Sequence, residues 1–182
     1  MDETQITATL RQLAGDIVNQ ASDRNNLVLI GIHTGGVYIA KRLKKIMKDV
    51  YDLEVPIGAL DITLYRDDWT RLHTQPVLKS TDIPFAVDDK EVLLVDDVLF
   101  TGRTIRAALD ALIDYGRPKL VRVVVLVDRG HRELPIYGEF VGIKVDTKPY
   151  EKINVYLKEK DGFDRVTLET GNFQVEKSTN SC

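Results

Sequence analysis

The chain has 182 residues, 43% of them hydrophobic, which is the length and apolar content of one compact domain with a single sizeable core. Its 25 basic and 28 acidic residues leave a net charge of −3, which excludes a globally basic coat for nucleic acid and leaves only a local patch for that purpose. The one cysteine, Cys182, excludes an internal disulfide and a cysteine-held zinc site.

Residues 1–5 are polar and acidic where a secretory leader carries basic residues and then an apolar run. The longest apolar runs, residues 27–32 and 123–127, have the length of strands, far below the ~20 residues that cross a bilayer. A cytoplasmic protein without membrane contact is expected. The first predicted element is an amphipathic helix with Ile6, Leu10, Leu13 and Ile17 on one stripe, Asp2 or Thr4 as its N-cap, and Ser22-Asp23 as a break. The continuous apolar run 27–32 predicts a strand buried on both faces, followed by the turn His33-Thr34-Gly35-Gly36. A second helix carries Val37, Ala40, Leu43 and Met47 inward; Lys41, Arg42, Lys44, Lys45 and Lys48 read as its solvated face, with a polyanion patch as the alternative.

Residues 55–65 predict another strand, and the pattern then fails from Arg66 to Gln75 and onward to Pro84. An unpatterned stretch of that length inside a compact domain is a functional lid or a disordered segment. Residues 92–95 predict a strand that ends at Asp96-Asp97, after which Ile105, Ala108, Leu109 and Leu112 mark a helix stopped by Gly116 and Pro118. A strand over residues 121–127 completes strand, helix, strand. Shorter strands are expected at 141–145, 153–157 and 166–168, with Asp161-Gly162 as the turn between the last two. The order predicts an α/β domain over residues 1–170, a mostly parallel twisted sheet with helices on both faces, followed by a flexible tail at 171–182. Its ligand site belongs at the carboxyl ends of the strands.

The segment Val95-Asp96-Asp97-Val98-Leu99-Phe100-Thr101-Gly102-Arg103-Thr104 sits between a buried strand and a helix N-terminus. Unpaired N–H groups and the positive end of the dipole suit a phosphate there. Gly102 permits close backbone approach, and Thr101 and Thr104 offer hydroxyl donors. Two carboxylates just before the loop accept hydrogen bonds only, and sugar hydroxyls are donors that match them. A phosphate cradle beside a hydroxyl clamp describes a ribose 5-phosphate site; the plainer alternative is an acid pair at a strand end followed by an ordinary turn. The Gly-Lys-Ser/Thr of a P-loop and the Gly-x-Gly-x-x-Gly of a dinucleotide site are both missing. His33, His73 and His131 have no ligand spacing between them and read as exposed or hydrogen-bonded loop residues; Trp69 is either a latch or a solvent-facing aromatic.

This segment resembles the phosphoribosyl pyrophosphate signature of type I phosphoribosyltransferases. Together with Asp61-Ile62-Thr63-Leu64-Tyr65-Arg66-Asp67-Asp68 and the stretch from Val125 through Val127-Asp128-Arg129-Gly130-His131-Arg132-Glu133-Leu134-Pro135, it is similar to the PyrR family of pyrimidine operon regulators and uracil phosphoribosyltransferases. The likeness runs from the first helix to about Leu168. It implies the type I phosphoribosyltransferase fold, with Arg66 to Gln75 as a hood loop over the substrate. Asp96 and Asp97 would hold the ribose hydroxyls, with Arg66 as the third catalytic residue; Phe100, Thr101, Gly102, Arg103 and Thr104 would hold the 5-phosphate. Thr34, Gly35 and Gly36 would meet the pyrophosphate, and Val127, Asp128 and Arg129 the base. For Arg129 the alternative is a simple pairing with Asp128 or Glu133.

The implied reaction makes UMP from uracil and phosphoribosyl pyrophosphate, with Mg²⁺ held mainly by substrate and water and no direct protein metal site. A homo-oligomer, dimer or tetramer, is implied as well. A purine transferase sharing only the phosphoribosyl site fits Asp128-Arg129-Gly130-His131-Arg132 less well. The family's second role is binding a pyrimidine-leader RNA as a UMP-sensing attenuator, through basic residues on the first helix and in the pyrophosphate loop. Here Thr7, Ala8, Gln12 and Gly15 stand along that helix, and Gly35 stands where an arginine is usual. RNA binding is therefore expected to be weakened, with Arg11, Arg24, Arg42 and Lys44 as the cations left to form a substitute patch.

Overall fold

A computed structural model describes residues 1–67 and 79–170. The expected lid therefore lies outside the described residues from position 68 onward, as do Trp69, His73 and the expected tail at 171–182. The chain runs α1 (Glu3–Gln20), β1 (Leu27–Ile32), α2 (Gly35–Tyr51), β2 (Ile57–Leu60), β3 (Glu91–Leu99), α3 (Arg103–Ile113), β4 (Leu120–Asp128), β5 (Phe140–Lys144), β6 (Glu151–Tyr156), α4 (Lys158–Asp161) and β7 (Arg165–Thr170). Strands one to five form a parallel sheet in the order β2-β1-β3-β4-β5, and β6 pairs antiparallel with β7 in a separate hairpin.

The apolar runs explain this arrangement. A parallel strand covered on both faces needs side chains that tolerate burial on both sides, and every residue of β1 is buried. Leu27 and Leu29 pack with α1 and α2 on one face, while Val28, Ile30 and Ile32 pack with α3 on the other. Helices thus cover both faces, as expected. Asp2 is the N-cap of α1: its carboxylate accepts from Gln5 N at 2.8 Å, and Gln5 Oε1 accepts from Asp2 N at 2.9 Å.

Two expectations about strand length need correction. The strand expected over 55–65 closes at Leu60, because Asp61 turns the chain: its Oδ1 accepts from Thr63 N at 3.0 Å and a 3₁₀ turn follows at Thr63–Tyr65. The strand expected to end at Asp96-Asp97 continues past them to Leu99, because β4 extends alongside and pairs Asp96 with Val125 and Val98 with Val127. The acid pair is therefore set in the sheet and inherits its rigidity.

Strand order reverses between β1 and β3: from β1 the chain moves outward to β2, and from β3 outward to β4 and β5. At such a switch point the loops after neighbouring strands diverge and leave a crevice at their carboxyl ends. Thr34-Gly35-Gly36 follows β1 and residues 100–104 follow β3, so the fold brings both expected anion loops to one place.

Candidate functional site

On one side of the crevice lies the loop after β3. Gly102 adopts φ +91° at the N-cap of α3, a conformation that favours glycine. Gly102 supplies no side-chain cap; Arg103 N donates to Thr101 Oγ1 at 3.4 Å, and the amides that follow it in the first turn are left available. A cavity of about 260 Å³ opens over this turn, lined by Arg66, Asp67 and residues 98–104. The loop is held from behind by the segment after β4. Glu133 N and Leu134 N donate to the Thr101 carbonyl at 3.0 and 3.1 Å, and Arg132 donates to the carbonyls of Phe100 at 2.6 Å and Ile136 at 2.8 Å. The Arg103 guanidinium is engaged by Glu133 at 2.6 Å and Asp67 at 2.5 Å, as its backbone amide is by Thr101.

On the other side, α2 starts at Gly35 with no side-chain cap from Thr34. A Cβ on Gly36 would stand 2.1 Å from the Val95 carbonyl oxygen, and one on Gly35 would stand 2.2 Å from Asp97 Oδ2. The glycine pair thus lets α2 dock its N-terminus directly on β3 and its acids. Gly36→Ala is expected to destabilise the fold by about 3 kcal/mol, since the atoms the new Cβ would meet, of Val95 and Asp96, are all backbone and cannot give way as flexible side chains do; denaturant unfolding with an unchanged midpoint would contradict this packing. A second cavity of about 140 Å³ lies here, lined by His33, Thr34, Asp61, Ile62, Thr63, Arg66, Lys79 and Thr104. Lys79 Nζ donates to Thr34 Oγ1, and Lys79 N donates to Asp61 Oδ2 at 2.6 Å. Burial would raise the Asp61 carboxyl, but the bonds from Thr63 and Lys79 outweigh it and hold the carboxyl below its ordinary range.

Arg66 and Thr104 line both cavities. Behind them lies Asp96, only 6% exposed. Burial, reinforced by the neighbouring charge of Asp97, pushes its carboxyl well above the usual carboxylate range, and Arg66 opposes that rise. Asp97 turns toward α2, and its Oδ1 accepts from Val98 N at 2.9 Å.

The third expected group divides. Val127 is fully buried in the core. Asp128 accepts from Gly130 N at 2.9 Å and from Arg132 Nη2 at 2.5 Å; burial would raise its carboxyl, but Arg132 prevails and lowers it. Arg129 pairs with neither Asp128 nor Glu133, whose partners are Arg132 and Arg103. It is 6% exposed, and its guanidinium carbon stands 3.9 Å from the centroid of the Phe100 ring. A cavity of about 270 Å³ lies against its chain neighbours and not against Arg129 itself, lined by Asp128, Gly130, Arg132, Tyr137, Lys144, Val145 and Asp146. His33 and His131 each bond a backbone carbonyl, of Ser80 at 3.2 Å and Thr147 at 2.6 Å.

Several residues of this site carry no signal in the sequence. Lys79 reaches Thr34 across 45 positions, and Thr147 reaches Arg129 across 18. Only Arg132 leaves a trace, its i,i+4 spacing to Asp128. Among the described residues, no group of three or more His, Cys, Asp or Glu is arranged to hold a metal ion, and no helix is long and apolar enough to cross a membrane.

The model of the phosphoribosyl transferase domain matches residues 2–160, which sets the class of this protein. Among curated relatives, the bifunctional protein PyrR of Syntrophobacter fumaroxidans is 62% identical over 169 residues, covering 93% of this chain and 91% of that one. The bifunctional protein PyrR of Pelotomaculum thermopropionicum is 51% identical over 168 residues, covering 92% and 93%. The chain belongs to the PyrR family of phosphoribosyltransferases. A hypoxanthine-guanine phosphoribosyltransferase of Bacillus anthracis superposes with a TM-score of 0.65 over 83% of both chains at 22% identity, which shows the shared fold.

Proposed function

We propose that the chain transfers the phosphoribosyl group of phosphoribosyl pyrophosphate to uracil, forming UMP and pyrophosphate in the cytoplasm. The observation that carries this reading is the pair of cavities that share Arg66 and Thr104, each beside a helix N-terminus without a side-chain cap. A substrate with a phosphate at one end of a sugar and a diphosphate at the other fits such a double anion site. Phe100 to Thr104 hold the 5-phosphate, and Thr34, Gly35 and Gly36 take the diphosphate, joined by Lys79. Asp96 and Asp97 bind the ribose hydroxyls and steady the positive charge that grows on the sugar as the anomeric bond breaks. Arg66, between the two anions, offsets the charge of the leaving group. Arg129 meets a carbonyl of the base.

Thr34 Oγ1 takes the Lys79 ammonium and both Asp61 oxygens take bonds from Thr63 and Lys79, so Mg²⁺ would arrive held by substrate and water, with the Asp61 carboxylate nearby as its counter-charge. When bound, the ion neutralises charge on the departing diphosphate. A homo-oligomer is supported by the exposure of Leu64, Ile113 and Tyr137, large apolar side chains that a second copy would cover. The working test is thermal: phosphoribosyl pyrophosphate with Mg²⁺ at about 100 times its Kd should add ~2.7 kcal/mol, a rise in Tm of about 5 °C or more. Ribose 5-phosphate at the same concentration, which fills one cavity only, should give a smaller rise, and equal shifts for the two would contradict the double site.

A further inference from the structure

Thr147 lies between β5 and β6, outside every motif of the sequence, yet its hydroxyl makes two bonds to a single residue. Oγ1 donates to the Arg129 carbonyl at 3.0 Å and accepts from Arg129 Nε at 3.3 Å. The next carbonyl, of Lys148, accepts from Arg129 Nη2 at 3.2 Å, and the Phe100 ring supports the guanidinium from below. Thr147 is itself anchored, since its carbonyl bonds His131 Nε2 at 2.6 Å. The Arg129 amide donates to the Leu99 carbonyl at 3.0 Å, fixing the backbone of the arginine to β3.

One edge of the fork is left. Among the described residues no protein acceptor meets Arg129 Nη1, and no buried side-chain nitrogen or oxygen lacks a partner, so Nη1 reaches solvent. A planar fork clamped on one edge and stacked on one face loses little freedom when its other edge forms a hydrogen bond. That edge holds donors only, so it accepts a carbonyl and rejects an amine.

We infer that Thr147 is a specificity-determining positioning residue, which holds the Arg129 guanidinium so that its open edge reads a carbonyl of the pyrimidine base. The inference rests on the proposed base contact of Arg129. Cytosine places an exocyclic amine where uracil has its second carbonyl, and an arginine held rigidly cannot turn away from the mismatch. An arginine released by loss of the Thr147 hydroxyl can.

The test is steady-state kinetics on Thr147→Val, Thr147→Ser, Arg129→Gln and the double variant Arg129→Gln/Thr147→Val, with Thr147→Ala replacing valine if the latter fails to fold. In Thr147→Val the KM for uracil should rise about tenfold, the scale of leaving a buried donor unmatched, while the KM for phosphoribosyl pyrophosphate stays within about twofold. Preference for uracil over cytosine should fall with it, and Thr147→Ser should restore both. In the Arg129→Gln background the Thr147 change should add less than about twofold. A full tenfold effect in both backgrounds, or a loss shared equally by both substrates, overturns the inference in favour of a purely structural role. An unchanged uracil KM in Arg129→Gln, with the wild type active on uracil, overturns it while leaving the proposed reaction standing. A wild-type protein that binds phosphoribosyl pyrophosphate and does not turn over uracil overturns the reaction, and the inference with it.

Discussion

Replacing Asp96 and Asp97 together by asparagine is expected to lower kcat/KM for phosphoribosyl transfer about a thousandfold or more while the fold is kept. Removing one preorganised electrostatic partner of a transition state typically costs about a hundredfold to a thousandfold, and this variant removes two. The fold survives because asparagine keeps the carbonyl oxygen that accepts from Asp97 N at 3.0 Å and from Val98 N at 2.9 Å. The stability of Asp96→Asn alone separates charge from structure. The Asp96 carboxyl is raised on folding, so its favourable contribution is complete below the unfolded value and is lost as pH rises through the raised folded value. Asparagine stays neutral at every pH. The variant should therefore melt several degrees above wild type at neutral pH, with the gain vanishing in acid. A folded double variant that transfers at a near wild-type rate would sink the mechanism, and an unchanged Tm at neutral pH for the single variant would deny the buried charge its cost.

Binding of a pyrimidine-leader RNA hairpin is expected to be weak, with Kd above about 1 μM at physiological salt. Each phosphate contact contributes roughly 0.7–0.9 units of salt slope, so losing several lowers affinity by orders of magnitude. Thr7, Ala8, Gln12, Gly15 and Gly35 supply no charge, and the substitute patch is partly spent. Arg42 is gripped by Glu159 at 2.5 Å and Asp164 at 2.7 Å, and Lys44 stands 3.6 Å from Glu54. Arg11 and Arg24 remain for RNA. A titration of the protein with its own operon leader, with and without UMP, decides the matter: nanomolar binding enhanced by UMP would restore the regulator to equal standing with the enzyme.

Elements buried on both faces were the most legible in the sequence, because a continuous apolar run such as 27–32 has few alternatives to a central parallel strand. Boundaries failed where a polar side chain or a neighbouring strand decided them. Asp61 ended β2 through its own hydrogen bond to Thr63, and β4 carried β3 on through two acids that local pattern reads as a strand end. Within the site, the loops were legible because glycine and threonine at a strand end imply a turn onto a helix N-terminus. Their supports were not. Arg132 clasps Phe100, Asp128 and Ile136, and Lys79 spans to Thr34, through contacts that form only once the sheet has brought its carboxyl ends together. Val127, expected at the base, is instead core, since β4 runs one residue further before its chain turns outward.

The proposed double anion site beside Arg129 should serve a pyrimidine base, and a panel of free bases tests this most directly. Uracil, cytosine, hypoxanthine, guanine and adenine are each incubated with the protein, phosphoribosyl pyrophosphate and Mg²⁺, and the nucleotide formed is measured. UMP from uracil should form at least about a hundredfold more efficiently than the nucleotides of cytosine and adenine, because a site built to donate hydrogen bonds to a carbonyl is left unmatched by an amine, and hypoxanthine and guanine, which keep a carbonyl, test whether the site takes the larger purine ring. Formation of a purine nucleotide at a comparable or higher rate, with uracil inert, would contradict the account.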